Sequence, residues 1–73
     1  MNATEKLSKM LNVIDNGMTL YITNYLHCWK INKKTVANFS KKGYDVLKVK
    51  NDEIYMLSGK NYVCITGCLI IAK

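Results

Sequence analysis

The sequence predicts a small α+β domain spanning residues 1–73, and three patterns carry that prediction. Apolar residues recur at helical spacing near the N-terminus. They change to alternation over most of the remaining chain, and breaks bearing glycine and asparagine fall at the intervals of short elements. The order they give is α-β-α-β-β-β: a small, mostly antiparallel sheet with an N-terminal helix and a second short helix. There is no internal repeat, low-complexity tract or linker.

Leu7, Met10, Leu11 and Ile14, with Val13 beside them, form one apolar stripe of the first helix. Asn2 or Thr4 can cap its start, and Asp15-Asn16-Gly17 ends it, with Gly17 suited to the left-handed position past a helix terminus. From Met18 to Trp29 the period changes. Leu20, Ile22, Leu26 and Cys28 alternate with Tyr21, Thr23, Tyr25, His27 and Trp29, which reads as one long strand or two pieces joined by a bend near Asn24. One face is then aliphatic and core-facing, the other aromatic. Asn32 is the N-cap of a short helix, Lys33–Lys42, with Val36 and Phe39 inward and Gly43 as its stop.

Tyr44–Lys50 follows as a strand, Asn51-Asp52 as a tight turn, and Glu53–Leu57 as the hairpin partner. Ser58-Gly59-Lys60-Asn61 makes the next turn. Tyr62–Ala72 is the last strand, with Val63, Ile65, Leu69 and Ile71 on one face and Cys64, Thr66, Cys68 and Ile70 on the other. Its final residues are apolar on both faces, as in a strand that is central or pressed against a partner chain. A small core gains from further burial, so a homo-oligomer is expected.

A chain of 73 residues buries only about 60% of the surface its unfolded form exposes, which suits a binding module better than an enzyme with a deep cleft. The longest apolar stretch, Cys68–Ala72, is strand-sized, so no membrane partner is expected. The first nine residues are polar and include Glu5, unlike a signal peptide, which makes the cytoplasm the expected location. All eleven basic residues are lysine, arginine, proline and glutamine are absent, and asparagine occurs eight times. These are the preferences of AT-rich codons and point to a low-GC bacterium or one of its phages. Without arginine, anion recognition falls to lysine point charges, backbone amides and hydroxyls.

The charge is localised. Residues 1–29 and 51–73 each balance two lysines against two acids, whereas residues 30–50 hold Lys30, Lys33, Lys34, Lys41, Lys42, Lys48 and Lys50 against Asp45 alone, so the whole excess of +6 lies there. Lys33 and Lys34 open the second helix, where the dipole disfavours cations by a few tenths to about 1 kcal/mol. That placement suits an anion docking there among free amides, the lysines and the Thr35 hydroxyl. The expected phosphate-binding set is Lys30, Lys33, Lys34, Thr35, Lys48 and Lys50, with Tyr25, Trp29 or Tyr44 stacking on a base. Replacing Lys33 and Lys34 together is then expected to abolish binding. The blander account is a solvating charge surface on a protein of biased composition.

Other constellations carry less. His27-Cys28 with Cys64 and Cys68 resembles a zinc set, but neighbouring strand residues face opposite ways and residues four apart on a strand lie about 13 Å from each other. Only a bulge near Gly67 would bring the last two cysteines to one ion, so no metal and no cofactor is expected and the cysteines read as small apolar fillers. His27 and Cys28 make no catalytic pair for the same directional reason. Gly59-Lys60 lacks the residues of a phosphate loop before it, and Asp52 and Glu53 form no acid/base couple. No catalytic residue is assigned.

The stretches KKTVANFSKKG (33–43), YDVLKVK (44–50) and GKNYVCITGC (59–68) together resemble small uncharacterised proteins of phages and prophages in low-GC bacteria. That resemblance implies a mobile-element origin and, by analogy, a role against host defences, either as a sponge for a nucleotide signal or as an inhibitor of a host defence protein. Positive charge with aromatics favours capture of a nucleotide, or of nucleic acid without sequence preference, over mimicry of DNA. The alternative partner is a host protein, met through the aromatic face or the Ile70 face.

Overall fold

The computed structural model describes residues 2–73. Its elements are α1 (Ala3–Asp15), β1 (Leu20–Thr23), β2 (Cys28–Ile31), α2 (Lys33–Lys41), β3 (Leu47–Lys50), β4 (Glu53–Ser58), β5 (Asn61–Cys64) and β6 (Leu69–Ala72). The strands form two antiparallel three-stranded sheets, in the orders β2-β1-β6 and β3-β4-β5. The fold is therefore α+β. The α-β-α-β-β-β order holds with the first strand segment folded into the β1–β2 hairpin and the last divided between the sheets as β5 and β6.

Both helices start and stop by the same devices. The Asn2 side chain accepts from the Glu5 amide at 2.8 Å, and the Asn32 side chain accepts from the Thr35 amide at 2.9 Å. At the other ends the chain turns left-handed at Gly17 (φ 90°) and Gly43 (φ 84°). The Gly17 amide bonds Ile14 and the Met18 amide bonds Val13; likewise Gly43 bonds Ser40 and Tyr44 bonds Phe39. Each pair of bonds satisfies two carbonyls that the helix leaves open. The Asp52 carboxylate, presented by the left-handed Asn51-Asp52 turn, also accepts from the Ala3 amide at 3.0 Å, placing a negative charge at the positive end of α1.

The core lies where α1 meets the two sheets. Ala3, Met10 and Ile14 from α1 pack with Leu20, Ile22 and Ile31 of one sheet and with Val46, Leu47, Ile54, Met56 and Ile65 on the side of the other. Burying each large side chain of this set stabilises the fold by about 1.5–3 kcal/mol.

Two expected strands change phase where they break. Leu20 and Ile22 are buried, but past the Asn24–His27 turn it is Trp29 and Ile31 that face the core, while Leu26 is 84% exposed and Cys28 is exposed. The turn is fixed by Asn24, whose side chain accepts from the Leu26 and His27 amides while its own amide bonds the His27 carbonyl. Tyr21, Thr23, Tyr25, His27 and Trp29 therefore do not form a single aromatic face. The second break is at Thr66-Gly67. Val63 and Ile65 face the core before it and Cys68 and Ile70 after it, leaving Leu69 63% exposed and Ile71 41% exposed. There the Thr66 hydroxyl accepts from the Ile54 amide at 2.9 Å, ending the β4–β5 ladder, and the Cys68 amide closes a turn on the Ile65 carbonyl.

Candidate functional site

Residues 30–50 run from the edge of one sheet, through α2, to the edge of the other, so their lysines fall on three surfaces. Lys30 lies on the outer face of β2, opposite Tyr21, with its ammonium 5.9 Å from that ring. Lys33 and Lys34 are exposed at the start of α2. Lys48 and Lys50 occupy the outer face of the second sheet. Lys48 rests on the Tyr62 ring at 3.8 Å, with the Tyr62 hydroxyl donating to the Asp45 carbonyl at 2.7 Å. Lys50 pairs across the strands with Glu53.

The expected anion pocket at the start of α2 is partly engaged by the protein itself. Asn32 accepts both the Thr35 amide and, at 3.1 Å, the Thr35 hydroxyl. Thr35 is thereby a capping partner, and its donors do not point to an external phosphate. Of the expected stacking residues, Trp29 is half-buried against the core, with its ring centroid 5.2 Å from that of His27, so packing accounts for it. Tyr25 stands fully exposed at the β1–β2 turn, and Tyr44 is 54% exposed just past α2.

Of the predicted site residues, Tyr44 lines a concave surface together with lysines. An open cleft of about 340 Å³ is lined by Phe39, Lys42, Tyr44, Leu57, Gly59 and Lys60. One wall is built by the end of α2: the left-handed Gly43 folds Tyr44 back so that its amide reaches the Phe39 carbonyl at 3.0 Å, bringing two aromatic rings to one side. The Lys42 ammonium lies 5.8 Å from the Phe39 ring. The other wall is the β4–β5 hairpin, whose two-residue Gly59-Lys60 turn is left-handed at Gly59 (φ 63°). Lys42, Lys60, Phe39 and Leu57 were not among the expected site residues. Lys42 belongs to the basic segment, and the signal for it was the pattern Phe39-x-x-Lys42-Gly43-Tyr44, a glycine stop flanked by two aromatics.

The cysteines lie in separate surroundings. Cys28 is exposed on the outer face of the first sheet, Cys68 packs against the core, and Cys64 is exposed on the outer face of the second sheet. The Cys64 thiol and the Tyr55 hydroxyl both donate to Glu53 Oε2, each at 3.3 Å. The Tyr55 phenol is held above its ordinary range, first by desolvation and then by the negative charge of Glu53.

Comparison with protein-family models, with curated proteins and with solved structures returns no match.

Proposed function

We propose that this protein works by binding rather than catalysis, and that it captures a phosphate-bearing ligand, a nucleotide in preference to a nucleic-acid duplex. The observation that carries the reading is the excess of +6 confined to residues 30–50, whose lysines are all exposed except the half-buried Lys48. Lys30, Lys33, Lys34, Lys48 and Lys50 supply the attracting field, and Tyr44 offers an exposed ring beside it. Neither helix carries arginine, and α2 spans only nine residues, which disfavours base readout in a major groove. In the setting that the sequence resemblance implies, a phage-type accessory protein in the host cytoplasm, such capture would remove a nucleotide signal used in defence.

The test is release by heat from the purified protein, followed by absorbance and mass spectrometry of the supernatant, with calorimetric titration of adenosine monophosphate and a single-stranded 20-mer at low salt. A released nucleotide, or binding of the mononucleotide, supports the reading. If neither probe binds and nothing is released, the reading fails.

A second reading has its own observation. Tyr25 and Leu26 stand 106% and 84% exposed on a turn held by Asn24, with the exposed Leu69 beside Tyr25. Rigid, protruding apolar side chains are what anchor a protein interface, and a host protein is then the partner. Recovery of one stoichiometric protein, lost on Tyr25→Ala with Leu26→Ala, would favour it. Self-association belongs with either reading, because β6 is a sheet edge with no charge from Leu69 to Ala72.

A further inference from the structure

We infer that the cleft between the end of α2 and the β4–β5 turn is the ligand site, and that it takes a single nucleotide unit: a planar base against the exposed Tyr44, beside the half-buried Phe39, with its phosphate between Lys42 and Lys60. This rests on the nucleotide reading above and moves its centre from the start of α2 to the end.

Three arguments converge. The first is shape. A ligand gains from burying its surface in a concavity, and small-molecule sites occupy roughly 300–1,000 Å³. At about 340 Å³ the cleft is at the lower end, with room for one nucleotide and not for a duplex. The first turn of α2 has charge, but its cap bonds engage the Thr35 amide and hydroxyl.

The second is chemistry. The six lining residues comprise two lysines, two aromatics, Leu57 and Gly59, with no acid among them. A ligand with a ring but no anion forgoes the lysines, and an anion without a ring forgoes Tyr44, Phe39 and Leu57. A base carrying a phosphate uses all of them, the lysines acting as point charges, the Tyr44 ring as the stacking face, and Phe39 and Leu57 as apolar wall.

The third is electrostatic balance. The C-terminus of a helix carries about half a negative charge, which opposes an anion within the last turn. Here the Phe39 and Ser40 carbonyls are bonded by the Tyr44 and Gly43 amides, and Lys41 and Lys42 stand at that end. Two full charges from Lys42 and Lys60 outweigh the remaining partial one. The site is thus an anion site made by side chains at the unfavourable end of a helix, which is why inspection of helix starts in the sequence misses it.

The experiment is an amide-shift titration of the isotope-labelled protein with adenosine monophosphate, guanosine monophosphate and inorganic phosphate, repeated on Lys42→Ala/Lys60→Ala, on Tyr44→Ala and on Lys33→Ala/Lys34→Ala. Expected are shifts centred on Gly43, Tyr44, Gly59 and Lys60, weaker saturation by phosphate alone, and at least a tenfold loss of affinity in the first two variants. The Lys33/Lys34 variant is expected to lose less than threefold. Lys42→Gln/Lys60→Gln, which removes the charge but keeps a long polar side chain, guards against a loss due to misfolding. If the wild-type chain binds the mononucleotides but the shifts centre on residues 32–36 and only the Lys33/Lys34 variant loses affinity, the cleft is wrong while the nucleotide reading stands. If the wild-type chain binds none of the three probes, the cleft proposal falls, and the nucleotide reading falls with it when the 20-mer also fails to bind and heat releases no nucleotide.

Discussion

Gly43 is the residue on which the end of α2, the cleft and the ligand site proposed there depend together, and its replacement by alanine has a calculable cost. Its φ of 84° lies in the region that L-residues avoid, yet a Cβ built there meets nothing within 4 Å. The penalty is therefore conformational and not steric, roughly 1–2 kcal/mol. For a domain of this size each kcal/mol lowers the melting temperature by about 4–8 °C, so Gly43→Ala should melt roughly 4–16 °C below the parent. Gly17 is a matched control, with φ 90°, the same pair of capping bonds and nothing within 4 Å of its Cβ. Gly17→Ala should cost the same stability, measured by circular dichroism melts, because the physics at the two helix ends is the same. Only Gly43→Ala should also weaken mononucleotide binding, since only there does the left-handed turn set Tyr44 against Phe39. Chemical synthesis with D-alanine at either position supplies the decisive comparison. D-Alanine favours positive φ and narrows the unfolded ensemble, so it should match or exceed glycine, by up to about 1 kcal/mol. If D- and L-alanine destabilise equally, handedness is not what these positions require and the reasoning is refuted.

Two further outcomes follow from the sheets. Thr19 and Lys73 exchange both backbone bonds, at 3.1 and 2.9 Å, so by alternation Ile71 and Leu69 bond to β1 while Ile70 and Ala72 turn their amides to the free edge. Ala72→Pro then removes only an outward N–H: it should abolish concentration-dependent association in sedimentation while leaving the melting temperature near the parent's, and a parent that stays at 8.4 kDa at every concentration would sink the edge-pairing idea. Thr66→Val deletes the hydroxyl that satisfies the buried Ile54 amide and should cost about 1–3 kcal/mol in urea melts, with Thr66→Ser retaining most of it; parity of Thr66→Val with the parent would show that the Ile54 amide has another partner.

Local signals were legible in the sequence, whereas signals that depend on phase across a break were not. Asn2, Asn32, Gly17 and Gly43 mark the helix ends because capping is decided within four or five residues. The Asn51-Asp52 and Gly59-Lys60 turns are legible for the same reason. Face assignments beyond Asn24 and beyond Thr66 inverted, because period-2 alternation carries no memory through a turn that adds residues. Tyr62–Ala72 illustrates this well. It divides into two strands that bury opposite phases in different sheets. The apolar residues on both faces of its last part, expected for a central strand, instead leave Leu69 and Ile71 exposed on the edge strand β6. The basic segment was legible as charge, but its division among surfaces was not, since that depends on where α2 sits between the sheets.

The arrangement of lysines around α2 separates attraction from seating. At 100° per residue, with Val36 and Phe39 marking the inward direction, Lys33 and Lys42 fall about 90° to either side, and Lys34 and Lys41 point away from the core. Every exposed side of the helix thus carries a cation, which is a poor way to grip one phosphate but an effective way to raise the local concentration of anions over a Debye length of about 8–10 Å. Gripping needs walls, and of the four it is Lys42 that lines the cleft, where the hairpin brings Lys60 from a segment with no net charge. Replacing Lys33 and Lys34 therefore removes half the charge of the helix and no wall of the cleft. The localised positive charge of the chain and the cleft proposed to seat a ligand are different features, joined at Lys42.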